Sequence, residues 1–334
     1  MVSGLWRGRA HPRRIPHDLA VTDREPGSAV IIASPTASRL RAADERGRLI
    51  AAATRALHRR GHDRVTVVVT GESAELRAAA ADAVAGGAST VVLAGGDGTV
   101  RDASGPLADS GVAVGLLPCG TGNLYAASVG VPGALDRALS ALATGSPRPF
   151  DLGEVRLERG DSPPEVIPFV VACGTGFDAR VMSATSRDAK RRYGVAAYFL
   201  AASRLLEHLR PSPTVVTVDG VRSDLASVVV LIASTGGAAP AGLRPRLAVP
   251  SDDGLLHVFV LPRGGMLGGV QGVLELALAS SVGTSATGAG VRLVGRYVRV
   301  EVSPPGPVEV DGDPFGTATL EARVRPGALN VIRT

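Results

Sequence analysis

The chain has 334 residues, 45% hydrophobic and 20% charged, which excludes a disordered polypeptide and exceeds what one hydrophobic core usually organises. Basic side chains outnumber acidic ones by 36 to 31, a net charge of +5, and because Lys190 is the single lysine, arginine carries nearly all of it. An arginine- and alanine-rich composition accounts for that excess without a dedicated anionic partner, and 3% aromatic residues leave no stacking platform for single-stranded nucleic acid.

The first residues, 1–27, form a basic tail with Arg7, Arg9, Arg13 and Arg14 and no apolar run of signal-peptide length, and disorder is expected there. The tail either touches anionic lipid headgroups, at about 1 kcal/mol per basic residue near the surface, or is functionally idle. Strands are then predicted over 29–33, 65–69, 90–94 and 112–117, alternating with helices over 41–59, 74–85 and 100–108. Apolar strands alternating with helices through short turns predict βαβ units, hence a Rossmann-like parallel sheet with helices on both faces over residues 28–147.

From about Asp151 the rhythm changes. Strand-like runs at 154–157, 169–173, 214–218, 227–233, 255–261 and 298–302 predict a β-rich domain over 148–319, with residues 320–334 returning to the first. Val218-Asp219-Gly220-Val221 carries the Asp-Gly signal of a tight hairpin. Helical spacing interrupts this half at 193–208 and 266–279. No run reaches the ~20 apolar residues that cross a bilayer, so the protein is expected to be cytoplasmic, at most peripheral to the inner face of the membrane. Cys119 and Cys173 lie in apolar segments without paired spacing, which fits a reducing compartment. The six histidines show no metal-ligand spacing.

The strongest signal is a buried strand running through Gly95-Gly96-Asp97-Gly98-Thr99 into a helix. Glycines allow close backbone approach, and a helix start offers unpaired N–H groups and the positive end of its dipole, so this junction suits phosphate. A carboxylate among phosphates repels them unless a divalent cation lies between, which gives Asp97 the role of holding Mg²⁺ directly or through water. The next strand-to-helix junction repeats the device in Pro118-Cys119-Gly120-Thr121-Gly122-Asn123. Either loop alone reads equally well as an ordinary glycine turn or as a phosphate site. Two at neighbouring junctions fall where open α/β sheets bind ligands.

These loops resemble those of the diacylglycerol kinase catalytic family, which includes sphingosine kinases and bacterial lipid kinases. Gly174-Thr175-Gly176-Phe177-Asp178-Ala179 looks like the family's strand-to-helix corner, and Arg192-Tyr193-Gly194 through Tyr198 like the start of its long helix. The likeness covers residues 30–332. It implies an NAD-kinase/diacylglycerol-kinase-like α/β domain with a C-terminal β-sandwich, and transfer of the ATP γ-phosphate with Mg²⁺ to a lipid hydroxyl, diacylglycerol first. Partners implied are the lipid, transient contact with the membrane surface, no nucleic acid, and a homodimer as the general prior for such enzymes.

The resemblance also distributes roles. Nucleotide contacts fall to Ser34, Gly95, Gly96, Asp97, Gly98, Thr99, Gly120, Thr121, Gly122 and Asn123. Ser251-Asp252-Asp253-Gly254-Leu255-Leu256 looks like a segment holding a structural Mg²⁺ through Asp253 and main-chain oxygens of Pro250 and Leu255, although by itself it reads as a polar turn. Val310-Asp311-Gly312-Asp313 occupies the place of an Asp-Gly-Glu motif whose last carboxylate is the general base, which makes Asp313 the catalytic base beside Asp97. Departures are that shorter Asp313, Ser34-Pro35-Thr36-Ala37-Ser38 in place of Asn-Pro-x-Ser-Gly, Leu124 for Asp, Asp102 for Glu, and Ser234-Thr235-Gly236-Gly237 without the common Asn-Gly. Two rivals stand beside this reading. An NAD kinase-type phosphotransferase shares the first loop but not the later motifs, and a catalytically silent nucleotide- or lipid-binding protein would bind ATP without transfer.

Overall fold

The computed structural model describes residues 27–176, 210–236, 249–261, 285–287 and 290–334. The basic tail, the helices expected over 193–208 and 266–279, residues 177–179 of the corner and Gly237 lie outside them.

The first half alternates β1 (Ser28–Ala33), α1 (Ala43–Arg59), β2 (Arg64–Val69), α2 (Ser73–Ala85), β3 (Thr90–Gly95), α3 (Asp97–Leu107), β4 (Ala113–Pro118), α4 (Leu124–Ser128) and α5 (Leu135–Thr144). The four strands pair in parallel in the order β2-β1-β3-β4. β3 is buried along its whole length, as an apolar central strand covered on both faces must be. Helix α1 turns Leu49, Ala53, Ala56 and Leu57 inward and packs with α5, while α2 packs with α3. Helix α3 begins at Asp97, three residues before its apolar periodicity, so the residues after Gly96 form its first turn.

The second half runs β5 (Ser146–Glu158), β6 (Glu165–Phe169), β7 (Ala172–Thr175), β8 (Ser212–Val218), β9 (Val221–Ser227), β10 (Val229–Ala233), β11 (Leu256–Leu261), β12 (Ser285–Thr287), β13 (Gly290–Gly295), β14 (Tyr297–Val302), β15 (Pro307–Val310), β16 (Asp313–Thr317) and β17 (Thr319–Arg333). Seven strands make one antiparallel layer in the order β12-β13-β11-β10-β7-β15-β16. It packs on β5, β6, β8, β14 and β17 through Val155, Phe169, Val216, Val230, Val258, Val300 and Leu320, which completes a β-sandwich.

The two halves share a sheet. β17 pairs antiparallel with β5 and β14, and at Asn330 and Val331 runs parallel to Ala113 and Val114 of β4. One ten-stranded sheet therefore passes from the α/β layer into the sandwich. Pro326-Gly327 interrupts the strand pattern of β17, and the register with β5 shifts between Arg325 and Leu329.

The single strand predicted over 169–173 is instead two. β6 ends at Phe169 in the shared sheet and β7 begins at Ala172 in the other layer, so the chain changes sheets at Val170-Val171. Residues 169–173, Phe-Val-Val-Ala-Cys, are apolar throughout, which is why hydrophobicity alone joins them. The Asp219-Gly220 hairpin links β8 to β9, with φ of 48° and 87°. Asp311-Gly312 makes the same turn between β15 and β16, with φ of 49° and 82° and Val310 facing Asp313. Left-handed backbone at both central residues is the type I′ geometry that fits strand twist.

Candidate active site

Three loops meet at the carboxyl ends of β1, β3 and β4. The Gly95 carbonyl accepts hydrogen bonds from the amides of Cys119 (2.8 Å) and Gly120 (3.2 Å), which joins the two glycine loops backbone to backbone. A Cβ on Gly120 would lie 2.6 Å from the Gly96 Cα, so glycine is what permits this approach. Asn123, with φ of 51°, brackets Gly120 by accepting from its N–H and donating to its carbonyl, both at 2.8 Å. On the third side, Ser38 Oγ and the Arg39 amide donate to the Cys119 carbonyl, each at 3.1 Å. Ser34 is buried, with its amide on the Ala94 carbonyl and its hydroxyl 2.9 Å from Thr36 Oγ1.

Asp97 is half-buried and ties the loops together. Its Oδ2 accepts from the Leu124 amide at 3.1 Å and its Oδ1 from the Tyr125 amide at 3.0 Å. Burial pushes its carboxyl up from the ordinary range, and those amide hydrogen bonds pull it down. Thr99 is buried against Gly95, Gly122 lies beside the Asp97 carboxylate, and Thr121 is exposed. Gly98 differs from its neighbours, because among the described residues a Cβ there would meet nothing nearer than Asp313 Oδ2 at 4.0 Å.

That contact brings the acidic hairpin to the first glycine loop. Asp313 opens β16 with its side chain 57% exposed, and its Oδ2 is 2.7 Å from a guanidinium nitrogen of Arg101, one turn along α3 from Asp97. Asp311, two residues earlier, faces the other way. Its carboxylate accepts from the amides of Val170 (2.9 Å), Val171 (2.8 Å) and Ala172 (3.0 Å), and so pins the point where the chain changes sheets. Burial pushes the Asp311 carboxyl up to about 7, against the three amides and Arg101, which lower it.

A second acidic group surrounds the turn after Pro250. Asp253 accepts from the Leu255 amide and pairs with His257 Nε2, both at 3.0 Å. Asp151, buried at the start of the sandwich half, accepts from the amides of Gly254 (2.6 Å) and Gly327 (2.8 Å), and burial raises its carboxyl with help from Asp253 and Asp252. Among the described residues, no three His, Cys, Asp or Glu side chains form a ready metal centre. The structure therefore gathers Ser34, residues 95–99, residues 120–123 and Asp313 into one place, with Pro250, Asp253 and Leu255 in another. Sequence reasoning passed over Arg101, Asp151 and His257, whose spacing carries no signal. Burial raises the Cys119 thiol to about 11 and the Cys173 thiol well above its ordinary value, which disfavours the thiolate that a nucleophile needs.

The diacylglycerol kinase catalytic domain family model matches residues 28–155, and the YegS C-terminal NAD kinase beta sandwich-like domain matches residues 171–333. A Pseudomonas putida protein named "Probable lipid kinase YegS-like" is 32% identical over 271 residues, 79% of this chain and 84% of that protein. This chain belongs to the YegS-like lipid kinases of the diacylglycerol kinase superfamily. A Pseudomonas aeruginosa relative of the same name is 31% identical over 80% of this chain and 84% of its own length. An uncharacterised Synechocystis protein is 26% identical over 73% of this chain, and the match spans 55% of that longer relative. A Bacillus anthracis crystal structure described as a diacylglycerol kinase superposes with a TM-score of 0.66 over 92% of this chain and 97% of its own, at 16% identity, a likeness of fold. Membership of a kinase superfamily implies the use of ATP. No described helix of the kinase is long and apolar enough to cross a membrane.

Proposed function

We propose that this lipid kinase transfers the γ-phosphate of ATP to the hydroxyl of diacylglycerol, giving phosphatidic acid, with Asp313 as general base. The observation that carries the proposal is the approach of Asp313 to Gly98, which sets an exposed carboxylate beside the first turn of the phosphate-binding helix. The loops' glycine backbone admits a triphosphate, and the amides of α3's first turn face developing charge on its oxygens. Asp313 accepts the acceptor's proton as that oxygen attacks the γ-phosphorus and the bond to the bridging oxygen breaks, releasing ADP. Mg²⁺, held through Asp97 directly or by way of water, would neutralise charge on the phosphates. Asp97 is already fixed by the Leu124 and Tyr125 amides, which orients its carboxylate for that purpose. A structural Mg²⁺ would take Asp253 with the carbonyls of Pro250 and Leu255, in the turn whose Gly254 amide the buried Asp151 holds. The enzyme would work at the cytoplasmic face of the membrane, meeting its lipid there transiently.

The test is transfer of labelled phosphate from Mg·ATP to a total lipid extract, with wild type beside Asp313→Asn. Labelled phosphatidic acid from wild type, reduced ~10²- to 10⁴-fold in the mutant at unchanged ATP affinity, is the expected result. A mutant within threefold of wild type would remove Asp313 from the mechanism, and label on a different lipid would change the acceptor.

A further inference from the structure

Arg101 is 5% exposed, and a guanidinium that deep in a protein is costly unless its donors are met. Its Nε donates to Asp102 Oδ1 at 3.0 Å and a terminal nitrogen lies 3.0 Å from the same oxygen. The other terminal nitrogen donates to Asp313 Oδ2 at 2.7 Å and to the Val310 carbonyl at 3.2 Å. The guanidinium carbon stands 5.6 Å from the centre of the Phe315 ring. Asp102, 8% exposed, is fixed in turn by Ser73 Oγ, which donates to its Oδ2 at 2.7 Å. A continuous chain of contacts thus runs from the first residue of α2, through α3, to the first residue of β16.

We propose that Arg101 is a positioning residue for the catalytic base, holding Asp313 Oδ2 so that the carboxylate faces the first turn of α3. The inference rests on the assignment of Asp313 as base. Asp313 sits on a two-residue hairpin, and 57% of its side chain is open to solvent, so the hairpin backbone alone leaves its rotamer unspecified. The one charged group within ion-pair distance of it among the described residues is a guanidinium immobilised by a buried carboxylate. Arg101 reaches Asp313 without itself being free for ATP, because Asp102, Val310, Asp313 and Phe315 surround its head group. A site needs this kind of support, since a base misplaced by an ångström loses most of its effect.

The experiment measures kcat for labelled-phosphate transfer to lipid, and ATP affinity by calorimetry, in wild type, Arg101→Met, Arg101→Lys, Asp313→Asn and the Arg101→Met/Asp313→Asn double variant. Arg101→Lys keeps a cation beside Asp102 but lacks the planar fork, so it supplies a folded variant should Arg101→Met fail to fold. In that event the double variant is made with Arg101→Lys. Positioning predicts kcat lowered ~10- to 100-fold in each Arg101 variant, with ATP affinity within about threefold of wild type. The double variant should be no slower than Asp313→Asn alone, because Arg101 acts through Asp313. Multiplying effects, a kcat equal to that of wild type, or a parallel loss of ATP affinity would overturn the role. Wild type that binds Mg·ATP and labels no lipid would sink the kinase reading and the positioning role together, an outcome distinct from an active wild type matched by its Arg101 variants.

Discussion

Replacing Gly98 by alanine separates what the fold needs from what ATP needs. Gly98 lies in the first turn of α3 without positive φ, and among the described residues an added Cβ would meet nothing nearer than Asp313 Oδ2 at 4.0 Å. Alanine exceeds glycine in a helix by ~0.5–1 kcal/mol, so Gly98→Ala should leave the urea midpoint unchanged or raise it. If the space above Gly98 is where a phosphate lies, the same methyl group overpacks it, at a cost of ~1–3 kcal/mol. At about 1.4 kcal/mol per tenfold, that is a loss of ATP affinity between roughly 5- and 150-fold. Urea denaturation and calorimetric titration with Mg·ATP on one preparation read both quantities. A Gly98→Ala protein that is as stable as wild type and binds ATP equally well would refute a phosphate site over this turn. Gly120→Ala gives the opposite pattern. Its Cβ would come 2.6 Å from the Gly96 Cα, a clash between backbones that no rotamer relieves, so stability itself should fall by ~1–3 kcal/mol.

Two further outcomes follow from buried groups. The folded protein holds the Asp311 proton more tightly than the unfolded chain does, with its carboxyl up at about 7 against an ordinary value near 4. It therefore binds more protons than the unfolded state between those values, and stability should decline as pH rises from about 4 to about 7. Asp311→Asn should flatten that part of the profile, and a wild-type profile already flat there would mean that the three amides outweigh burial. Tyr125 is fully buried and its hydroxyl has no hydrogen-bond partner among the described residues, so Tyr125→Phe should raise stability by ~1 kcal/mol or more. A lower midpoint in that variant would show that the hydroxyl has a partner.

The parallel half of the fold was legible because its signals are local. Buried runs such as Val91-Val92-Leu93-Ala94 alternate with helices, and glycines mark every junction from β1 to α4 except the one that follows β1, so the strands and the two glycine loops stand out residue by residue. The sandwich was legible only in part. Asp219-Gly220 announced its hairpin, but the identical Asp311-Gly312 turn lay hidden inside an acidic motif that drew attention to its charges.

Sequence by itself determined which residues are able to do chemistry here: glycines where backbone must approach backbone, and carboxylates at Asp97, Asp253 and Asp313. What each carboxylate touches was decided by the tertiary structure. Asp97 spends hydrogen bonds on the second loop, Asp311 pins a change of sheet, and Asp313 meets Arg101 from the far end of the chain. The same holds for β17, which carries one sheet through both halves by pairing with β4, β5 and β14. Periodicity reports how a segment buries itself within a few residues. Pairings across most of the chain's length depend on which surfaces meet once every segment has folded, and no local pattern encodes them.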